Sequence, residues 1–313
     1  MRALVTKTTG NHYLVRTEGG SVLDCAIKGN LRLKGLRTTN PVAVGDYVTV
    51  EQQDDGTNWI KAIEERRNYI IRRSTNLSKE AHILAANIDQ VLLLVTLHHP
   101  ETSTTFIDRF LATAEAYRVP TILVFNKIDL LSEEESETLQ ALRETYEKIG
   151  YPTLAISLTS PIANSPQGGK LPIDHRLLKG KTTLLAGNSG VGKSTLLNTL
   201  FGHEVTRTGV ISTSHHKGMH TTTFSEMYAL PDAFIIDIPG IKGFGAVDMN
   251  KTEISHYFRE IFETGRACKY GNCLHIDEPG CAVTEAVMRG DIALSRYESY
   301  LSLLGDCDEQ KYR

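Results

Sequence analysis

The chain has 313 residues, of which 41% are hydrophobic and 23% are charged, and its formal net charge is -3. A chain of that length is longer than a single compact domain usually is, so we expect a globular protein of two or three domains. The strongest apolar run, residues 91–95, is too short to span a membrane, and the first residues lack the apolar core of a signal peptide. We therefore expect a cytoplasmic protein.

The N-terminal part is the basic part of the chain. Residues 1–75 carry a net charge of +4, whereas residues 76–249 carry -4 and residues 250–313 carry -3. Short strands with turn residues between them are predicted at 12–17, 21–27 and 47–51. Several such strands in about 70 residues suit a five-stranded OB-fold barrel.

Two basic clusters accompany these strands. The segment between the second and third strand candidates has no acidic residue, and its cations are Lys28, Arg32, Lys34 and Arg37. A second cluster brackets Tyr69 and consists of Arg66, Arg67, Arg72 and Arg73. A basic loop on a small barrel beside an aromatic residue is typical of an RNA-binding surface. From the residues alone, a solvated loop and a charged linker fit equally well.

From residue 79 the pattern alternates between strands and helices. Strands are predicted at 88–97, 120–125, 153–157, 182–186 and 233–236, and helices at 104–117, 132–149 and 195–200. Alternation of this kind predicts an α/β domain with a parallel, doubly wound sheet.

One segment fits the phosphate-binding pattern G-x-x-x-x-G-K-[ST] between a predicted strand and a predicted helix. Its glycines let backbone N–H groups face a polyphosphate, its lysine reaches the β and γ phosphates, and its serine hydroxyl ligates Mg²⁺. The predicted nucleotide-binding residues here are Gly187, Asn188, Ser189, Gly190, Val191, Gly192, Lys193, Ser194 and Thr195.

An N-K-x-D tetrad follows the predicted strand at 120–125 and favours guanine as the base. The Asp129 carboxylate can accept from N1–H and the exocyclic amine of guanine, Asn126 can meet its O6/N7 side, and the Lys127 stem can cover the ring. Adenine would leave these buried polar groups unpaired. Ser157, at the end of the next predicted strand, is expected to contact the base edge through its backbone.

Residues 237–240 read D-I-P-G and match the D-x-x-G element of GTPases. Asp237 would hold Mg²⁺ through water, and the Gly240 amide would sense the γ-phosphate. A threonine in the segment 217–223 should complete the Mg²⁺ shell, and we favour Thr222, although spacing alone does not choose. The expected magnesium ligands are thus Ser194, Thr222 and Asp237.

Lys193, Thr222 and His220 are the candidate catalytic residues. Many GTPases place a water-orienting Gln directly after D-x-x-G, but here that position is Ile241. His220, beside the threonines, is the candidate replacement, although a lone loop histidine is more often not catalytic. The N-K-I-D tetrad also precedes the phosphate loop, whereas ordinary GTPases have it last. That order predicts a circularly permuted site.

The pattern C-x₄-C-x-H-x₅-C predicts a closed, structural zinc site with Cys268, Cys273, His275 and Cys281 as ligands. Buried cysteines, or a disulfide with one thiol left over, are the alternatives. Cys25 and Cys307 have no such neighbours and are expected to be ordinary thiols. Residues 285–304 are predicted to be helical, with a break near Gly290.

With these motifs in this order, the chain resembles the family of circularly permuted, small-ribosomal-subunit-dependent bacterial GTPases, known as small-subunit-dependent GTPase A. The resemblance covers nearly the whole chain. It implies an N-terminal OB-fold at 1–72, a circularly permuted P-loop GTPase domain at 73–246, and a mainly helical zinc-binding domain at 247–313.

The resemblance also implies a function. It implies contacts with 16S rRNA and the 30S subunit, a part in late 30S maturation, and hydrolysis of GTP to GDP and phosphate that the subunit stimulates. It supports a histidine at position 220 and places the zinc ligands at the same four positions. One structural zinc, Mg²⁺ with GTP, no membrane association and a monomeric state complete the expectation.

The sequence is also compatible with two other classes of protein. The first is an RNA-binding assembly module in which nucleotide acts only as a conformational lock. The second is a P-loop kinase or ATPase, against which Asp129 argues.

Overall fold

The computed structural model describes residues 1–10, 12–27, 41–73, 81–158, 173–206, 225–239 and 249–309. In these ranges, no helix combines the length and the apolar character that crossing a bilayer requires.

The N-terminal strands form a closed barrel, as the sequence predicts. In the described part of the chain it consists of β1 (Arg2–Thr8), β2 (Tyr13–Thr17), β3 (Val22–Ile27), β4 (Tyr47–Gln52) and β5 (Asn58–Ile63). The strand order is β1-β2-β3-β5-β4, and antiparallel pairing of β1 with β4 closes the barrel. Its core contains Val5, Val15, Cys25, Val48 and Ile60, each at most 1% exposed. Strands β1 and β5 were not predicted individually.

Arg66, from the second basic cluster, has its partners inside the protein. Its side chain is 7% exposed and donates two hydrogen bonds of 2.6 Å each to the carboxylate of Asp46, which is fully buried. Asp46 also accepts from the backbone N–H of Ala43 at 2.8 Å. Arg66 therefore stabilises the turn before β4 and does not face an RNA.

A two-stranded ribbon follows the barrel, formed by β6 (Tyr69–Arg73) and β7 (Ala81–Ala86), and the main sheet follows the ribbon. The described strands of that sheet are β8 (Gln90–Val95), β9 (Thr121–Phe125), β10 (Thr153–Ala155), β11 (Thr182–Ala186), β12 (Glu226–Leu230) and β13 (Ala233–Asp237). They lie in the order β10-β9-β8-β11-β13-β12.

The prediction of a parallel sheet is confirmed for the five predicted strands, which are β8, β9, β10, β11 and β13. Strand β12 was not predicted. Strand β12 pairs antiparallel with β13, with Leu230 opposite Ala233. Only Pro231 and Asp232 separate those two residues, and such a short connection forms a hairpin because a parallel pair needs a long crossover.

Helices cover both faces of the sheet. They are α1 (Thr104–Ala116) and α2 (Glu133–Lys148) on one face and α3 (Lys193–Phe201) on the other. Alternate residues of β8 enter the two layers: Leu93 packs in the cluster of α1, and Leu94 packs in the cluster of α3. Helix α2 begins after Ser132, whose side chain forms a capping box with Glu135. The predicted double winding is confirmed.

The barrel and the main sheet are hydrogen-bonded to each other. Strand β1 pairs antiparallel with β12, where Lys7 lies opposite Glu226, and the side chains of these residues form an ion pair of 2.9 Å. The described strands from β10 to β4 thus make one continuous sheet.

The C-terminal module consists mainly of helices around its own core. They are α4 (Arg259–Gly265), α5 (Ala282–Arg289) and α6 (Leu294–Glu309), and Gly290 ends α5 with a φ of 78°. Tyr300 and Leu304 are at most 2% exposed, so the predicted apolar stripe of α6 is core. Ala112 of α1 belongs to the same cluster, so the module packs directly on the α/β sheet domain.

A buried ion network fixes that contact. Arg296 of α6 is 1% exposed and donates to both oxygens of Glu260 on α4, at 2.6 and 3.1 Å, and to Asp108 on α1 at 2.8 Å. Tyr146 of α2 donates to the same Asp108 oxygen at 2.8 Å. Four helices from two parts of the chain therefore share one charge network.

Candidate functional site

The phosphate loop connects β11 to α3, and two of its glycines are required by close contacts. Gly187 has a φ of 138°, and a Cβ there would lie 2.3 Å from the carbonyl oxygen of Leu94. Gly192 has a φ of 107°, and a Cβ there would lie 2.3 Å from the amide nitrogen of Asn126. Only glycine fits at either position without displacing its neighbour.

Lys193 is folded back over the loop. Its side chain is buried, and its Nζ donates to the carbonyl oxygens of Gly187 and Asn188, each at 2.9 Å. Burial lowers the pKa of Lys193 to about 8, although Asp237 opposes this shift. A buried ammonium held by neutral carbonyls is well placed to receive the oxygens of a polyphosphate.

Helix α3 begins at Lys193, so Ser194 and Thr195 lie in its first turn. Backbone N–H groups of a first helical turn have no partners within the helix and carry a partial positive charge. The loop and the start of α3 thus form a surface suited to an anion.

The N-K-x-D tetrad holds the phosphate loop directly. The Asn126 amide donates to the carbonyl oxygen of Val191 at 2.8 Å, and Lys127 Nζ donates to that of Gly190 at 2.9 Å. Lys127 also donates to the carbonyl oxygen of His99 and has a left-handed backbone, with a φ of 66°. The sequence did not predict these contacts. Every residue has a backbone carbonyl, so a pattern of residue types does not show which carbonyl accepts a hydrogen bond.

The Asn126 side chain has one hydrogen-bond acceptor that the described contacts do not use. Its Oδ1 is buried and has no hydrogen-bond partner within the ranges that the structure describes. We expected Asn126 to meet the O6/N7 side of guanine; the geometry adds a link to the loop that the sequence did not indicate.

Asp129 and Ser157 lie together at the ends of β9 and β10. The Ser157 hydroxyl donates to Asp129 Oδ1 at 2.5 Å. The backbone contact from Ser157 to the base edge stays a prediction; the structure adds a bond from its side chain to the carboxylate of Asp129. A serine at a strand end gives no signal for such a contact.

Asp237 ends β13 and is fully buried. It lies beside Leu185 in the parallel pairing with β11, one strand away from the start of the phosphate loop. Its charge acts on Lys193, since it raises the pKa of that lysine against the effect of burial. The predicted magnesium ligand thus faces the phosphate loop.

Several predicted site residues lie outside the described ranges. These are the switch residues Thr222 and His220, Gly240 of D-x-x-G, and the basic residues of the barrel loop, Lys28, Arg32, Lys34 and Arg37.

The four predicted zinc ligands come together in the C-terminal module, with their ligand atoms within 4.8 Å of one another. His275 Nδ1 lies 3.5 Å from the sulfurs of both Cys268 and Cys281, which are 3.9 Å apart. A tetrahedral zinc ion has Zn–S bonds of about 2.3 Å and Zn–N bonds of about 2.0–2.1 Å. Around such an ion, the N–S separation would be about 3.5 Å and the S–S separation about 3.8 Å. The donor set, and the spacing of the atoms of Cys268, His275 and Cys281, fit a zinc ion.

Other groups of the C-terminal module help to prepare these four residues for a metal ion. Burial lowers the pKa of His275, which favours the neutral imidazole that a metal requires. The hydroxyls of Tyr297 and Tyr300 donate to the carbonyl oxygens of His275 and Leu274, at 2.6 and 2.8 Å. The helical stripe predicted as core therefore also orients the metal-binding loop.

The fold and the site define a circularly permuted P-loop GTPase, in which the tetrad precedes the phosphate loop and both lie at one edge of the sheet. The chain is thus a GTP hydrolase, and it belongs to the RsgA GTPase family. The model of that family matches residues 63–247, and the model of the RsgA N-terminal domain matches residues 3–60.

Relatives and solved structures agree over the whole length. The small ribosomal subunit biogenesis GTPase RsgA of Phocaeicola vulgatus is 55% identical over 314 residues, covering 100% of this chain and 99% of the relative. The protein of that name from Bacteroides fragilis is 56% identical with the same coverage.

Two crystal structures match as well. YjeQ from Thermotoga maritima matches with a TM-score of 0.71 and 32% identity, over 98% of each chain. YloQ, described as a circularly permuted GTPase, matches with a TM-score of 0.69 and 28% identity, over 100% of this chain and 96% of the other.

Proposed function

We propose that this GTPase acts in the late maturation of the small ribosomal subunit, binds the subunit and its 16S rRNA, and hydrolyses GTP to GDP and phosphate faster when bound there. The observation that carries this proposal is the full-length identity of 55–56% to relatives named for small-subunit biogenesis. The guanine-reading tetrad and the phosphate loop supply the chemistry that such a function needs.

In this proposal, the base and the phosphates are bound by separate groups. Asp129 accepts the two guanine N–H donors, and the Ser157 hydroxyl helps to fix its carboxylate by donating to Oδ1. The loop amides and Lys193 bind the β and γ phosphates, whose oxygens replace the carbonyls of Gly187 and Asn188 on the ammonium.

Ser194, Asp237 and Thr222 are the proposed magnesium ligands. The first two are a hydroxyl and a carboxylate, the hard oxygen donors that suit this ion. Mg²⁺, when bound with GTP, neutralises charge between the β and γ phosphates. Asp237 is buried and beside the loop, so its carboxylate is held where the phosphate end of the nucleotide would lie.

For hydrolysis, we assign His220 to orient the attacking water and Gly240 to contact the γ-phosphate. An isoleucine, Ile241, stands where many GTPases have the water-orienting Gln, so intrinsic hydrolysis is expected to be slow. Ordering of the segment 217–223 by the small subunit would bring His220 into place.

The other parts of the chain have proposed roles as well. Lys28, Arg32, Lys34 and Arg37 contact rRNA, and one zinc ion per chain holds the C-terminal module together. The domains extend over 1–72, 73–246 and 247–313. The protein works as a monomer in the cytoplasm, where small subunits are assembled.

The decisive experiment measures GTP hydrolysis by the full chain with and without purified small subunits. We expect slow turnover alone and a clear acceleration by the subunits, and no such effect of large subunits. Equal rates in all three samples would refute the proposal.

A further inference from the structure

The zinc module carries an exposed apolar surface that the nucleotide site does not use. Within the described ranges, seven large hydrophobic side chains are exposed, and four of them lie in this module: Tyr270, Ile276, Met288 and Leu294. Met288 is 85% exposed. Isolated exposed apolar residues need no explanation, but two that line the same groove, Ile276 and Met288, mark a candidate interaction site.

Two of these side chains border a groove of about 370 Å³, here called the module groove. It lies between the zinc-binding loop and α5, and its apolar lining consists of Ile276, Val287, Met288 and Tyr297. Tyr297 is fixed by its hydrogen bond to the carbonyl oxygen of His275. One residue of the lining is therefore held in place by the loop that carries His275.

The charge at the module groove is negative. Its remaining lining residues are Asp277, Glu278 and Thr284, so none of the described lining residues is a lysine, arginine or histidine. The Glu278 carboxylate is held by the backbone N–H groups of Leu274 and Ile276, at 2.7 and 2.9 Å.

The positively charged residue that follows Met288 on α5 does not cancel the negative charge of the groove. Arg289 follows Met288 in the chain, but its side chain binds Asp291 at 2.9 Å. An RNA backbone would bring its phosphates towards two carboxylates, which repel them, whereas a basic protein segment would be attracted.

We propose that the module groove docks a basic segment of a small-subunit protein. The segment places an apolar side chain against Met288 and Ile276, and a lysine or arginine beside Asp277 and Glu278. This rests on the proposed function, in which the chain binds the small subunit. The barrel and the zinc module then contact the subunit by different chemistry, one through RNA and the other through protein.

The test compares affinities of the full chain for purified small subunits and for protein-free 16S rRNA, with a non-hydrolysable GTP analogue. Met288→Glu should weaken binding to intact subunits about tenfold, because it removes the anchor of a small interface, and should leave rRNA binding unchanged. Asp277→Lys should also weaken binding to subunits, since it places like charges together.

The controls are Leu294→Glu and Glu263→Lys, which make the same chemical changes at exposed positions of the module outside the groove. Both should bind subunits as the wild type does. Unchanged zinc content and unchanged hydrolysis without subunits establish that each variant is folded.

Wild-type affinity of both groove variants for intact subunits would overturn the groove proposal alone. Tighter binding by Asp277→Lys, or parallel changes in rRNA affinity, would identify RNA as the occupant and also overturn it. Absence of subunit binding by the wild-type chain would instead overturn the proposed function, and the groove proposal with it.

Discussion

The side-chain nitrogen of Lys127 lies 2.9 Å from the carbonyl oxygen of Gly190, 63 residues further along the chain. Asn126 makes the equivalent contact to Val191 at 2.8 Å. The N-K-x-D tetrad is therefore hydrogen-bonded to the phosphate loop without a nucleotide. A loop held in its binding conformation loses less entropy when the ligand arrives, so these contacts should contribute to affinity.

Replacing Lys127 by Met keeps an apolar stem but removes the donor to Gly190 and His99. A hydrogen bond from a charged group is worth about 1.5–3 kcal/mol, so GTP affinity should fall about 10- to 100-fold. Inosine triphosphate, which lacks only the 2-amine of guanine, should lose affinity by the same factor. Titration of both nucleotides checks this, and a loss confined to GTP would contradict it.

Replacing Asp129 by Ala should change selectivity as well as affinity. The wild type should prefer GTP to inosine triphosphate by at least about tenfold, because a carboxylate that loses a donor is left partly unpaired. In the variant that preference should disappear. Competition between the two nucleotides measures the ratio, and Ser157→Ala, which leaves the carboxylate in place, should keep the preference for GTP.

The sequence predicted most of this molecule because its signals are local. The strand at 182–186 is found as predicted, the tetrad follows β9, and Cys268, Cys273, His275 and Cys281 come together as their spacing predicts. Contacts between distant segments could not be predicted. The Ser157–Asp129 bond and the Arg296 network depend on which elements become neighbours, and a pattern of residue types does not record that.

The buried network of Arg296 predicts a large loss of stability. Arg296→Met would leave Asp108 and Glu260 buried without their cation, and burial already raises the pKa of Asp108 against the effect of Arg296. Removing one partner of a buried ion pair costs about 3–5 kcal/mol. Hydrogen exchange at the amides of α6 should report a decrease of that size in the free energy of opening.

The matched control for this substitution is Arg289→Ala in the same module. Arg289 pairs with Asp291 at the surface, where its side chain is 60% exposed. Surface pairs contribute about 0–1 kcal/mol, so exchange at α6 should hardly change. Equal effects of the two substitutions would show that the network does not hold the module.

The cluster of Cys268, Cys273, His275 and Cys281 predicts one zinc ion per chain in freshly purified protein. Cys273→Ser should lower that ratio and loosen α5 and α6, because the loop that Tyr297 and Tyr300 bind is then no longer closed by the ion. Cys307→Ser is the control, since Cys307 is buried outside the ligand set and should keep a full zinc content. Metal analysis well below one zinc in the wild type would contradict the assignment.

His220→Ala tests how the attacking water is oriented. The substitution should leave GTP affinity unchanged, since Lys193, Asp129 and the loop amides are the proposed nucleotide-binding groups. It should lower the subunit-stimulated rate about 100-fold, the size of a typical acid–base contribution. His203→Ala, at an exposed histidine after α3, should keep the stimulated rate.

Because a switch leaves its target after hydrolysis, the His220 variant should also remain on small subunits longer than the wild type. An undiminished stimulated rate would exclude His220 from this role, and normal release by a hydrolysis-deficient variant would show that hydrolysis does not drive dissociation.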